Sequence, residues 1–217
     1  MIPIQYALRR RMMINVSKGL PISDLPLGTL INVGTDGGAG TPYYEIADKD
    51  NLVPDGVVLV RKNIYSNSQF GSTTKYPNGT LDNLIKTTIY NEMPQKLRDK
   101  MMDVPFKLYK SGDITRKMFA LTKTMAGFGN NEGAAEGKAL QLYTSNASRK
   151  KNLNGSAANW WLSSWYSSEY VRDVNVYGSA GYRNPAGSVG VVPAFVIPSE
   201  TPYDPIPNTD GSYNLIL

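Results

Sequence analysis

Asn159-Trp160-Trp161-Leu162-Ser163-Ser164 and, further along the chain, Gly190-Val191-Val192-Pro193-Ala194-Phe195-Val196-Ile197 are the stretches on which the reading of the fold turns. Each is a short run of aromatic and β-branched residues, which reads as a strand. Between them Val174 and Val176 alternate with Asp173, Asn175 and Tyr177 before Gly178. A strand beginning after Arg172 would turn the valines inward and the polar set outward.

Working outward, Val57-Val58-Leu59-Val60 is a continuous apolar run between Asp55-Gly56 and Arg61-Lys62, as expected for a strand covered on both faces. Residues 27–33 predict another strand, breaking into a glycine-rich turn over 34–40. Two helices are expected. One begins at Thr80 with Leu81, Leu84, Ile85, Thr88 and Ile89; the other opens at Pro94 with Leu97, Met101 and Met102. The period then shifts towards two over 104–109 and 117–122, and Gly127, Gly129 and Gly133 punctuate the next segment. Residues 191–197 are expected to close the sheet. At the start, Ile4, Ala7, Leu8 and Met12 lie at helical spacing beside Arg9-Arg10-Arg11, an amphipathic lead helix that packs on the domain or on copies of itself. The tail with Pro198, Pro202, Pro205 and Pro207 is expected to be an extended arm. The expectation is an α+β chain in three parts: a lead helix over 1–18, one domain over 19–197 and a proline-rich tail over 198–217.

A length of 217 residues, 41% hydrophobic and 19% charged, suits one folded core. The formal charge of +5 is scattered apart from Arg9-Arg10-Arg11 and Arg149-Lys150-Lys151, so no nucleic-acid partner is expected. With no cysteine and no histidine, disulfides, thiolate metal sites, cysteine nucleophiles and the usual neutral-pH base are excluded. No run reaches the ~18 apolar residues of a membrane span, and no signal peptide is read at the start, so neither membrane insertion nor secretory export is expected.

The catalytic motifs fail on chemistry. Gly38-x-Gly40 meets Tyr43 where a dinucleotide fingerprint needs a third glycine. The stretch from Gly133 to Ala139 has the wrong spacing and lacks the hydroxyl of a phosphate loop. Gly187-Ser188-Val189-Gly190 has neither the preceding glycine of a nucleophile elbow nor a histidine to activate the serine. Asp48 and Asp50 could offer oxygens to calcium but have no later bidentate glutamate, so they are expected to be a polar turn. No catalytic residue, metal ligand or cofactor is assigned.

Taken in order, Asn159-Trp160-Trp161-Leu162-Ser163-Ser164, the segment from Asp173 to Ser179 and the ending Gly190-Val191-Val192-Pro193-Ala194 resemble bacterial and phage domains of the C-type lectin fold. Within that group they are similar to the variable proteins of diversity-generating retroelements, in which adenine-directed mutagenesis rewrites a C-terminal region. The resemblance is specific over 159–197. It implies a small antiparallel sheet with two helices and long loops, framed by Trp160, Trp161, Leu162, Val174, Val176, Val191, Ala194, Phe195 and Ile197. Trp165 stands where such domains often have proline. The calcium-dependent sugar site of lectins is not implied, because the W-N-D signature is missing. The activity of the formylglycine-generating enzyme, which shares the fold, is excluded by the lack of cysteine.

Between the framing strands the composition resembles an antibody paratope: Trp165, Tyr166, Ser168, Glu169, Tyr170, Arg172, Asp173, Asn175, Tyr177, Ser179, Tyr182, Arg183 and Asn184. Tyrosine and tryptophan supply large contact area with few torsions to freeze, serine and asparagine adapt their hydrogen bonds, and arginine adds planar donors. The resemblance implies a non-catalytic, hypervariable display surface that binds a host cell-surface protein or glycan. It would stand on a phage tail or virion or on a bacterial surface, with the lead helix or the tail able to supply a homo-oligomer. A structural subunit without a ligand and a glycan-acting hydrolase are the competing expectations.

Overall fold

The computed structural model describes residues 19–38 and 40–217. The lead helix lies outside the described residues. Among the described residues seventeen strands form five sheets, and two of these sheets carry the architecture. The larger has six strands in the order Tyr213–Asn214, Leu30–Asn32, Tyr43–Lys49, Gly56–Arg61, Pro193–Pro198, Met118–Ala120. The second has five, in the order Ala180–Arg183, Val171–Val174, Trp160–Trp165, Val189–Gly190, Asn67–Ser68.

The expected α+β domain of the C-type lectin type, with two helices on a small antiparallel sheet, is overturned. Among the described residues strand makes up 34% and helix 13%, with one helix of substance. That helix runs over 80–92 and widens to π-type hydrogen bonding across Leu84–Ile89. The second expected helix is only the six residues Gln95–Lys100, and Asn146–Arg149 adds one more turn. The break at Pro94 is where the sequence places it, but Met101 is extended and ends the second helix at Lys100, short of the apolar spacing that Met101 and Met102 continue. Nor are the sheets purely antiparallel: Tyr213–Asn214 runs parallel to Leu30–Asn32, and Trp160 pairs in parallel with Gly190.

The decisive apolar runs are strands buried on both faces. Every residue of Gly56–Arg61 is buried, between Tyr43–Lys49 on one side and Pro193–Pro198 on the other. The 191–197 run therefore sits inside the sheet rather than closing it, since Pro193–Pro198 also pairs with Met118–Ala120. Trp160 and Trp161 point to opposite faces of their strand, and both are fully buried. Each indole finds an acceptor: Trp160 Nε1 donates to the Arg149 carbonyl at 2.9 Å and Trp161 Nε1 to the Ser68 carbonyl at 2.8 Å.

The tail folds back on the domain. Pro202–Tyr203 pairs with Leu20–Pro21, and Tyr213–Asn214 forms the edge of the six-stranded sheet. The strand expected to start after Arg172 is instead Val171–Val174, and residues 175–178 form a turn at its end. Val171 and Val174 are buried as core, but so is Asp173, while Val176 is only half-buried.

Candidate functional site

The strands Val171–Val174 and Ala180–Arg183 form a hairpin along one edge of the five-stranded sheet, with Arg172 opposite Tyr182 and Val171 opposite Arg183. Val171 also pairs with Trp165, so residues 166–170 link the buried tryptophan strand to this hairpin. The link is held by its backbone, with the Tyr166 and Ser167 amides donating to the Tyr170 carbonyl, and by the Ser167 hydroxyl, which accepts from the Tyr170 amide at 3.1 Å. Its tyrosines are thus free to meet above the sheet edge. Tyr166 stacks on Tyr182 at 4.5 Å between ring centres, and Tyr170 meets Tyr182 edge-on at 5.4 Å. The Arg172 guanidinium lies 4.0 Å from the Tyr166 ring centre and is ion-paired with Glu132.

This aromatic–arginine cluster faces solvent. Tyr182 is 54% exposed and Tyr170 36%, while Tyr166 and Arg172 are half-buried beneath them. Trp165 lies lower, half-buried, with its ring edge-on to Tyr109 at 5.5 Å. Lys123 lies close enough that burial, and after it the charge of Arg172, lowers its pKa.

The remaining predicted residues fall into three groups. Tyr177, 72% exposed, stands on the turn at the opposite end of the hairpin. There the Asn175 carboxamide accepts from the Tyr177 and Ser179 amides, and Ser179 Oγ accepts from Asn146 Nδ2 at 3.0 Å. Ser168, Glu169 and Asn184 are exposed, with Asn184 opening a turn through the Ala186 amide. Asp173 departs from the expected surface, because it is 1% exposed and turned beneath the hairpin. Its Oδ2 accepts from Arg183 Nε at 2.6 Å, while Oδ1 is buried without a partner. Burial raises its pKa against the pull of Arg183. A Cβ at Gly181 would stand 2.2 Å from Asp173 Oδ1, so a larger residue there would have to displace this carboxylate.

Groups that no sequence pattern marks reach the site from other segments. Glu132 reaches Arg172 from forty residues away, and Tyr109 supports Trp165 from another hairpin. Buried Glu136 clamps the base of the site: its oxygens accept from the Tyr109 amide at 2.8 Å, Asn131 Nδ2 at 3.3 Å and the Ser164 hydroxyl. Burial raises the Glu136 pKa. No local signal marks these residues, because the pairings exist only once distant loops meet.

At the calcium candidate, Asp48 accepts from the Leu52 amide at 2.7 Å, the Gln141 amide at 3.2 Å and Asn51 Nδ2 at 3.2 Å, while Asp50 accepts from Ser199 Oγ at 2.7 Å. Among the described residues no group of three or more acidic, histidine or cysteine side chains is arranged to hold a metal. No described helix is long and apolar enough to cross a membrane.

A family model described as "Domain of unknown function (DUF6273)" matches residues 55–199, a span that takes in the whole five-stranded sheet with its tyrosine hairpin and three strands of the six-stranded sheet, Gly56–Arg61, Met118–Ala120 and Pro193–Pro198. No curated protein and no solved structure gives a significant match to the chain.

Proposed function

The chain belongs to the DUF6273 family, a family of unknown function, and from that premise we propose that it is a non-catalytic binding module. In this reading the tyrosine–arginine edge of its five-stranded sheet docks on a host cell-surface protein or glycan. The observation that carries it is the contrast along one short stretch: Trp160, Trp161 and Leu162 are fully buried, while Tyr170, Tyr177 and Tyr182 beyond them are exposed large aromatics. Exposed aromatics next to stacked arginine are the composition of binding hot spots.

The scaffold supports residue exchange at this surface. The 166–170 link and the 175–179 turn are held largely by backbone, serine and asparagine hydrogen bonds, so the tyrosines can be replaced without breaking them. That suits a display protein whose codons between 165 and 184 are diversified, standing on a phage tail or a bacterial surface. Several copies on one particle would raise avidity through effective concentration.

The test is binding of fluorescently labelled protein to intact host cells, beside a variant with Tyr166, Tyr170, Tyr177 and Tyr182 all changed to Ala. Wild type binds saturably and the folded variant binds at least tenfold more weakly. Equal binding by the two proteins would overturn the assignment. Sequencing gene copies tests diversification separately: substitutions should concentrate at adenine-containing codons over 165–184, and an even spread along the gene would end that part of the proposal.

A further inference from the structure

A second site lies beside the tyrosine cluster without including any of its tyrosines. A solvent-open cavity of about 340 Å³ opens between Asn159, Val176, Arg183, Ser188 and Gly190. Its walls come from the ends of four strands and the 175–178 turn, brought together by the parallel pairing of Trp160 with Gly190. A Cβ on Gly190 would lie 2.7 Å from the Asn159 carbonyl and 2.7 Å from Ile64 Cδ1, so glycine is what allows that approach.

The chemistry of the lining selects the ligand. Arg183 contributes a guanidinium whose Nε is held by Asp173, leaving its two terminal nitrogens to reach a ligand. Because Asp173 offsets its charge at 2.6 Å, the wall is neutral overall, and an incoming anion would meet a buried carboxylate behind the arginine. The other polar groups are amides and a hydroxyl, Asn67, Asn159 and Ser188, which carry donors and acceptors together. Asn159 Oδ1 is engaged by the Val176 amide at 2.9 Å, which fixes the side chain and leaves its amide nitrogen to donate. Ala157, Ala158, Val176 and Val189 add a C–H surface between these groups. A ligand that matches neutral mixed donors and acceptors on one side and a C–H face on the other is an uncharged sugar ring.

We propose that this cavity binds one neutral hexopyranose unit, through Arg183, Asn159 and Ser188, independently of the tyrosine surface. Saturation-transfer NMR on the full chain tests it, with D-glucose, D-galactose, D-mannose and N-acetyl-D-glucosamine added singly at millimolar concentration, and with acetate and inorganic phosphate as anionic probes. At least one hexose is expected to show transfer to its ring C–H protons, undisturbed by either anion. Ala157→Trp, which fills the mouth from an exposed strand position, should abolish it. Ser188→Leu, at an exposed position on another segment, should do the same and keeps the test decisive if the tryptophan variant does not fold. The four-tyrosine variant should retain the signal, which separates this site from the binding surface proposed above. Transfer to no hexose, competition by acetate or phosphate, or a signal that survives in a folded blocking variant would each overturn the proposal.

Discussion

Changing Tyr166, Tyr170, Tyr177 and Tyr182 together to Ala should cost less stability than changing Trp161 alone. The Tyr166–Tyr182 and Tyr170–Tyr182 ring contacts are each worth about 0.5–1.5 kcal/mol. The Arg172 guanidinium over Tyr166 adds about 0.5–1 kcal/mol at a solvent-facing site. These contacts share rings, so their losses do not add in full, and about 2 kcal/mol is expected for the set. Tyr177 is 72% exposed, and its removal should fall within about 0.5 kcal/mol. By contrast Trp161 is fully buried and packs edge-on to Phe70 at 5.7 Å. Trp161→Ala should cost about 3–5 kcal/mol for lost burial and cavity, with a further ~1–3 kcal/mol for the Ser68 carbonyl left without its donor. Urea denaturation monitored by far-UV circular dichroism measures both. A four-tyrosine variant less stable than Trp161→Ala, or one that unfolds without cooperativity, would place those tyrosines in the core.

Three more outcomes are expected from the same geometry. Gly178→Ala should destabilise the protein by more than ~1 kcal/mol in thermal unfolding, because its φ is +81° and a Cβ would stand 1.9 Å from the Asn146 carbonyl oxygen. Glu136→Ala should lose about 1–3 kcal/mol, since the Tyr109 amide and the buried Ser164 hydroxyl would lose their acceptor, and urea titration reads the loss. Asp210 is held down to about 2, first by the Tyr43 hydroxyl and then by Ser212. Its folded pKa is thus below the unfolded value near 3.8, so its contribution is complete above about pH 4 and is lost as pH falls through about 2. A carboxyl NMR titration of Asp210 with a midpoint near 4 would contradict that anchoring of the tail.

The strands were legible where burial on both faces leaves an unbroken apolar run, as at 57–60 and 160–162, because such a run has few other solutions. The helices were legible as patterns but not as lengths: Leu97 and Met101 keep the apolar spacing, yet Met101 is extended and the second helix stops at Lys100. The resemblance therefore carried more helix and a simpler sheet than the chain contains. Part of the tyrosine surface was readable from composition, since tyrosine interleaved with serine, glycine and arginine rarely packs a core. Asp173 was not, because its alternation with valine suggested an outward side chain, whereas Gly181 leaves the space in which the carboxylate is buried. Glu132, Tyr109 and the sugar-sized cavity arise from pairings between segments far apart in sequence, for which neither periodicity nor spacing leaves a trace.

Hydroxyl-radical footprinting of the protein free and bound to host cells would locate the docking surface residue by residue. Binding should remove labelling from Tyr170, Tyr177 and Tyr182, while Ile206, 70% exposed on the C-terminal loop, stays as reactive as in the free protein. Protection falling on Ile206 with the three tyrosines unchanged would contradict the account.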